Sequence, residues 1–198
     1  GAHRVLESLD MIVPAGSIFG LVGENGAGKT TTMKIILGLL AGDGGSIRIF
    51  DEDVAASHTT IGYLPDVPSF YGYMNAVEYM TLCGRIGGVE AGKLKSRTIE
   101  LLDLVGIGNV KTRISNYSRG MKQRLGIAQA LMAEPDILIC DEPTSALDPS
   151  GRRDILDIIK GLGGETTVIF STHILTDVER ICDRVALLHN GKIVMSGS

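Results

Sequence analysis

An α/β fold, a partly parallel mixed sheet with a helical lobe inserted over about 70–134, is what this sequence predicts. Three observations predict it. Apolar runs too short for helices alternate with longer stretches whose apolar residues recur at helical spacing. Many of the 26 glycines cluster between those runs, at 23–28, 42–45, 84–92 and 161–164, as turns and not as a linker. The 198 residues, 44% of them apolar, provide for one core, or one core with a smaller lobe.

The elements follow in order along the chain. Residues 17–22 (Ser-Ile-Phe-Gly-Leu-Val) form a short apolar run, bounded by Pro14 and Gly16 before it and Gly23 after it, and read as a buried strand. From Lys29 to Leu40 the period changes, and Met33, Ile36, Leu37 and Leu40 share one helical face. Strands are expected over 46–50 and 60–64. Helical stretches follow over about 75–86 and 90–105, broken by Gly84, Gly87 and Gly88. Met121, Leu125, Ala128 and Leu131 continue the helical period up to Pro135. Ile137-Leu138-Ile139-Cys140 is too short for a helix and ends in two acids, which marks a central strand. Ile155, Ile158, Ile159 and Leu162 make an amphipathic helix that stops at Gly163-Gly164. Strands over 166–170 and 184–189 come next, and Asn190-Gly191 is a hairpin turn into 192–195.

Composition narrows the function classes. Lys plus Arg number 19 against 23 Asp plus Glu, a formal net charge of −4, and no basic block suits nucleic acid. The longest apolar run, residues 35–41, falls far short of the roughly 18–20 residues that span a bilayer. Gly1-Ala2-His3-Arg4 leads straight into an alternating segment, so no signal peptide is expected. Cys83, Cys140 and Cys182 are scattered, with no CxxC pair and no nearby His, which argues against a disulfide framework or a zinc site and suits the reducing cytoplasm.

Gly23-Glu24-Asn25-Gly26-Ala27-Gly28-Lys29-Thr30 fits GxxxxGK[ST] directly after a strand and at the start of a helix. Glycines let backbone N–H groups curl around phosphate oxygens, and the helix N-terminus adds a positive dipole. Gly23, Asn25, Gly26, Ala27, Gly28, Lys29, Thr30 and Thr31 are therefore the expected nucleotide-binding residues of a P-loop NTPase core. Lys29 would neutralise the β- and γ-phosphates and the Thr30 hydroxyl would ligate Mg²⁺. Asp141 and Glu142, at the end of the 137–140 strand, supply the second half. Asp141 would hold Mg²⁺ through water, and Glu142 would accept a proton from an attacking water. A nucleotide site with its own base points to hydrolysis.

Between these motifs lies Tyr117-Ser118-Arg119-Gly120-Met121-Lys122-Gln123-Arg124, and after them come Ser145-Ala146-Leu147-Asp148 and Ser171-Thr172-His173. The series resembles the ATP-binding cassette (ABC) ATPases, with a variant of their LSGGQ signature, their D-loop and their switch histidine, in family order over residues 16–197. The resemblance implies a single ABC ATP-binding domain over 1–198, with 1–69 and 135–198 as the core carrying N-terminal β elements and 70–134 as the helical lobe. It implies ATP and Mg²⁺ as ligands and a head-to-tail pair of cassettes, either a homo- or a heterodimer. Ser118 and the Gly120 amide would then meet the γ-phosphate of the opposite subunit. Glu142 is the implied general base, His173 contacts the γ-phosphate, and Asp148 links the two sites. His3, His58 and His189 have no such context and read as structural.

The chain departs from the family pattern at several places. Asp66 stands where many relatives carry the Q-loop Gln after Pro65. It would be a further Mg²⁺ ligand, giving a slower or more Mg²⁺-dependent ATPase than a Gln version, or else a turn cap. Arg119 and Met121 replace the consensus Gly and Gln. The adenine-stacking aromatic of the family would precede Gly1, and relatives continue past Ser198, so the chain is expected to be trimmed at both ends. The resemblance also implies a separate membrane-spanning permease docked near 66–86, where Val67, Pro68, Phe70, Tyr71, Tyr73 and Met74 are dense. Those residues otherwise cover the lobe's own core. The protein would lie in the cytoplasm, peripheral on the inner face of the membrane, and is most like cassettes of peptide or drug exporters. A soluble ABC-type ATPase in an assembly scaffold is the alternative. A small GTPase lacks support, with no NKxD-type guanine reader in the chain.

Overall fold

The computed structural model describes residues 4–54, 57–145 and 147–198, so His3 and Ala146 lie outside the described residues. Its main sheet is six-stranded, in the order β4 (Ile61–Leu64), β5 (Ile137–Cys140), β6 (Thr167–Thr172), β1 (Ile18–Val22), β7 (Arg184–His189) and β8 (Lys192–Gly197). All neighbours are parallel except β8, which returns antiparallel on β7 through Asn190-Gly191.

Strands β1, β5 and β6 are buried along their whole length, as expected of strands covered on both faces. Their residues divide with a period of two. Ile18, Val22, Leu138, Cys140, Val168 and Phe170 enter one apolar cluster. Phe19, Leu21, Ile137, Ile139 and Ile169 enter the other, with Met33 of α1 (Lys29–Ile36). The first cluster continues into the lobe through Met80 of α2 (Ala76–Ile86), Leu101 of α3 (Ala91–Leu104) and Leu125 of α4 (Arg119–Ala130). Lobe and sheet therefore share one core. Helix α2 opens on a capping box, with Asn75 accepting from the Glu78 amide and Glu78 accepting from the Asn75 amide.

Register places the chemistry. Leu64 pairs with Cys140, Cys140 with Phe170, and Val22 with Thr172. The loops after β4, β5, β6 and β1 therefore leave the sheet at one end, side by side, where open parallel sheets bind ligands.

The structure also redraws some boundaries. The expected strand over 46–50 shrinks to β2 (Arg48–Ile49), which pairs with β3 (Glu52–Asp53) because Phe50 and Asp51 turn at φ 49° and 67°. Among the described residues of 1–69 this hairpin is the β element outside the main sheet; residues 4–17 contain no strand, and the Glu7 amide donates to the Gly191 carbonyl at 2.9 Å. Helix α1 ends at Ile36, ahead of Gly38 at φ 67°, four residues short of Leu40. Helix α5 (Pro149–Gly161) starts earlier than its apolar face, with Pro at its first position. Helix α6 (Leu175–Ile181) was not anticipated, because its seven residues are too few for a period to emerge. No helix among the described residues is long and apolar enough to cross a membrane.

Candidate active site

Residues 23–28 turn tightly between β1 and α1. Gly28 sits at φ 110°, a conformation that other residues rarely adopt, so the turn needs glycine here. Gly23, Ala27, Gly28 and Lys29 are buried, while Asn25, Gly26 and Thr30 are exposed at the mouth. Helix α1 has no side-chain cap and no acid in its first turn. Among the described residues, the amides of Lys29, Thr30 and Thr31 donate to no backbone carbonyl. That leaves a set of N–H donors at a positive helix end.

Lys29 is only 6% exposed. Its Nζ donates to the carbonyls of Gly23 (2.6 Å) and Glu24 (3.1 Å) and lies 3.0 Å from Glu142 Oε1. Glu142 Oε1 is buried and out of line for a hydrogen bond, so this contact is an ion pair alone. Glu142 Oε2 lies 2.9 Å from Nδ1 of His173. The Glu142 backbone is left-handed, φ 47°, an unusual state for a non-glycine residue that turns the side chain back over the sheet end.

Asp141 is 2% exposed and bonded on both oxygens. Thr30 donates to Oδ2 at 2.7 Å, and Ser171 donates to Oδ1 at 2.6 Å. Ser171 Oγ in turn accepts from the Glu142 amide at 2.9 Å. One hydroxyl thus ties the two adjacent acids together. Behind them Asp177, also 2% exposed, accepts from Thr144 (2.7 Å) and Arg152 (2.6 Å), anchoring the loop after β5 to α5 and α6. Sequence reading placed Ser171 only beside the histidine motif. Its role here depends on β6 lying next to β5, which no local pattern encodes. Ser171→Ala should therefore lower kcat about tenfold with a smaller change in KM, since Glu142 loses its support directly and Thr30 only through Asp141. Steady-state kinetics on the purified chain check this.

The structure thus brings Lys29, Thr30, Asp141, Glu142 and His173 together around one point. Others stand apart. Ser118 caps α4 by accepting from the Met121 amide at 3.2 Å and is exposed, as is Asp148 at the start of α5. Among the described residues no hydrogen bond or ion pair joins Ser118, Gly120 or Asp148 to residues 23–30. Asp66 faces Arg119, with Oδ1 3.4 Å from Nη2. Burial raises the Asp66 pKa and the charges of Asp141 and Glu142 raise it further, while Arg119 and a hydrogen bond with Ser145 oppose this. The aromatic stretch after it divides. Phe70 and Met74 pack on the core, and Phe70 meets the Tyr79 ring edge-on at 5.2 Å. Val67, Tyr71 and Tyr73 stay exposed, with the two tyrosine rings 5.9 Å apart.

A buried lysine and free amides at a helix start have the chemistry of a phosphate site, and beside them stand two oxygen groups 2.7 Å apart and a carboxylate 2.9 Å from an imidazole nitrogen. The family model for the ABC transporter matches residues 6–145. The chain belongs to the ABC transporter family. An uncharacterized ABC transporter ATP-binding protein of Bacillus subtilis, YxlF, is 43% identical over 98% of this chain and 66% of that protein. The daunorubicin/doxorubicin resistance ATP-binding protein DrrA of Streptomyces peucetius is 35% identical, over 98% of this chain and 61% of its own length. The bacitracin transport ATP-binding protein BcrA of Enterococcus faecalis is 38% identical, over 98% and 64%. The chain therefore spans roughly three-fifths of these ABC proteins, between 56% and 66% for the first three relatives. A solved ATP-binding subunit of an ABC transporter superposes with a TM-score of 0.85 at 32% identity, covering 100% of this chain and 85% of that one. A dimeric bacterial ABC cassette, 23% identical, shares the fold with a TM-score of 0.86 over 98% of this chain and 90% of its own. The expected fold and family are thus both met.

Proposed function

We propose that this chain is the ATP-binding and ATP-hydrolysing part of an ABC transporter, driving export through a separate membrane-spanning permease. The observation that carries the reading is Glu142, half-buried between Lys29 and His173 and tied through Ser171 to the Asp141–Thr30 pair. Lys29 transfers its donors from the Gly23 and Glu24 carbonyls to the β- and γ-phosphates of ATP, and the amides of residues 29–31 face the same oxygens. Glu142, relieved of Lys29, accepts a proton from the attacking water, while His173 holds Oε2 and orients the carboxylate toward the γ-phosphate.

The residues fit Mg²⁺. Thr30 and Asp141 are hard oxygen donors already 2.7 Å apart. Mg²⁺ is commonly held by one or two carboxylates together with substrate phosphates. Bound there, with Asp66 as a further ligand, Mg²⁺ supplies charge neutralisation on the phosphates.

In this reading residues 1–198 are one ATP-binding domain, with 1–69 and 135–198 as core and 70–134 as lobe. Two cassettes, alike or different, pair head-to-tail. The exposed Ser118 and the Gly120 amide then face the γ-phosphate held by the other subunit, and Asp148 lies between the two sites. The exposed Val67, Tyr71 and Tyr73 form the surface that meets the permease, which holds the protein on the inner face of the membrane. The names of DrrA and BcrA favour a drug or peptide as cargo. The test is co-purification. The full-length protein, tagged in its native cell, should be recovered from detergent-solubilised membranes with a multi-span protein in stoichiometric amount. Recovery only from the soluble fraction with soluble partners would overturn the transporter reading and leave an assembly ATPase.

A further inference from the structure

Helix α4 grips residue 66 at two points one turn apart. Arg119 Nη2 faces Asp66 Oδ1 at 3.4 Å, and the fully buried Gln123 donates from Nε2 to the Asp66 carbonyl at 3.0 Å. At the next turn a Cβ on Gly126 would meet Leu64 Cδ1 at 2.5 Å and Pro68 Cβ at 3.5 Å, so α4 rests on the end of β4 and on the segment that follows it. The backbone at 66 is therefore held, and the side-chain carboxylate faces Arg119 on one side and the Ser145 hydroxyl, in the loop after β5, on another. Its ion pair is loose. At 3.4 Å it is longer than the roughly 2.7–2.9 Å of a strong charge-assisted bond, and the two side chains are 46% and 45% exposed. On its other side the loop of Asp66 leaves the sheet next to that of Asp141, whose amide donates to the Leu64 carbonyl at 2.8 Å, and the charges of Asp141 and Glu142 are felt at the Asp66 carboxylate.

Arg119 needs this partner. It opens a helix with no acid in its first turn, where a cation opposes the macrodipole, and Asp66 supplies the missing negative charge. A cation arriving between Asp66 and Asp141 would compete for the same carboxylate. Should the guanidinium let go, Gln123 Oε1, on the same face of α4, is a buried acceptor with no donor.

We propose that Asp66 has two mutually exclusive stations, one on Arg119 and one toward the metal beside Asp141, so that Arg119 weakens Mg-nucleotide binding by occupying a metal ligand. Arg119 is then a positioning residue of the site, and leaving it is the event that couples metal entry to the start of α4. The inference rests on the nucleotide-binding function proposed above.

The test is titration calorimetry of the whole chain with an ATP analogue bearing a β–γ imido bridge, with Mg²⁺ and with chelator. The reading is the gain in affinity from Mg²⁺. Arg119→Ala should raise that gain about two- to fivefold, the scale of an exposed ion pair. Arg119→Lys, which keeps the charge, should stay near the wild-type value. Asp66→Asn should lower the gain, and adding Arg119→Ala to it should change nothing further. An unchanged or smaller gain in Arg119→Ala, or an Arg119 effect that persists without Asp66, overturns the exchange while leaving the nucleotide site intact. A wild-type chain that binds no nucleotide would overturn both readings at once.

Discussion

Glu142→Gln should lower ATP turnover by about two to four orders of magnitude while Mg-ATP still binds. The amide keeps the size and the left-handed backbone at φ 47°, and retains a carbonyl oxygen for the donors around it, but it cannot take a proton from water. Binding should survive because the groups proposed to contact the phosphates, Lys29 and the amides of residues 29–31, are left in place. With hydrolysis blocked, the contacts across the pair persist, and a dimer that depends on Mg-ATP should accumulate. Single-turnover hydrolysis and light scattering measure the two effects separately. Turnover within a few-fold of wild type would remove Glu142 as the base. A monomer at saturating Mg-ATP would count against head-to-tail pairing.

Lys29→Ala should weaken ATP binding by about 10- to 100-fold, the scale of hydrogen bonds between charged partners. It should also destabilise the protein without any ligand. Glu142 Oε1 is buried, faces Lys29 at 3.0 Å and has no hydrogen bond, so removing the ammonium leaves it uncompensated. Breaking such a pair costs about 3–5 kcal/mol, and here the lower end applies because His173 still faces Oε2. The double variant Lys29→Ala/Glu142→Gln separates the two roles. It should recover most of the stability in a denaturant melt and none of the affinity. A single Lys29→Ala variant with wild-type affinity would show that the loop amides alone hold the phosphates.

The order of chemical motifs was legible from the sequence because each is local. A strand, six residues of loop geometry and a helix start are encoded within a dozen positions around Gly23–Thr30, and Ile137–Glu142 needs only its apolar run and two acids. Strands β5 and β7 came out at their observed bounds for the same reason. Shorter elements did not, because α6 has too few residues for a period and β2 is cut short by turns at Phe50 and Asp51 that only its pairing with β3 reveals.

What the tertiary structure decided is which local pieces meet. The parallel order β4-β5-β6-β1 places four loops at one sheet end, and the register Cys140–Phe170 brings Ser171 under both Asp141 and Glu142. The same order sets α4 against the segment after β4, so that Asp66, written in the sequence as a metal ligand or a turn cap, is found facing Arg119. Residue types and their spacing encode what each segment can do, since backbone propensity and side-chain chemistry act over a few positions. Partners 53 positions apart in the chain, such as Asp66 and Arg119, are chosen by ladder register and core packing, which are properties of the whole fold.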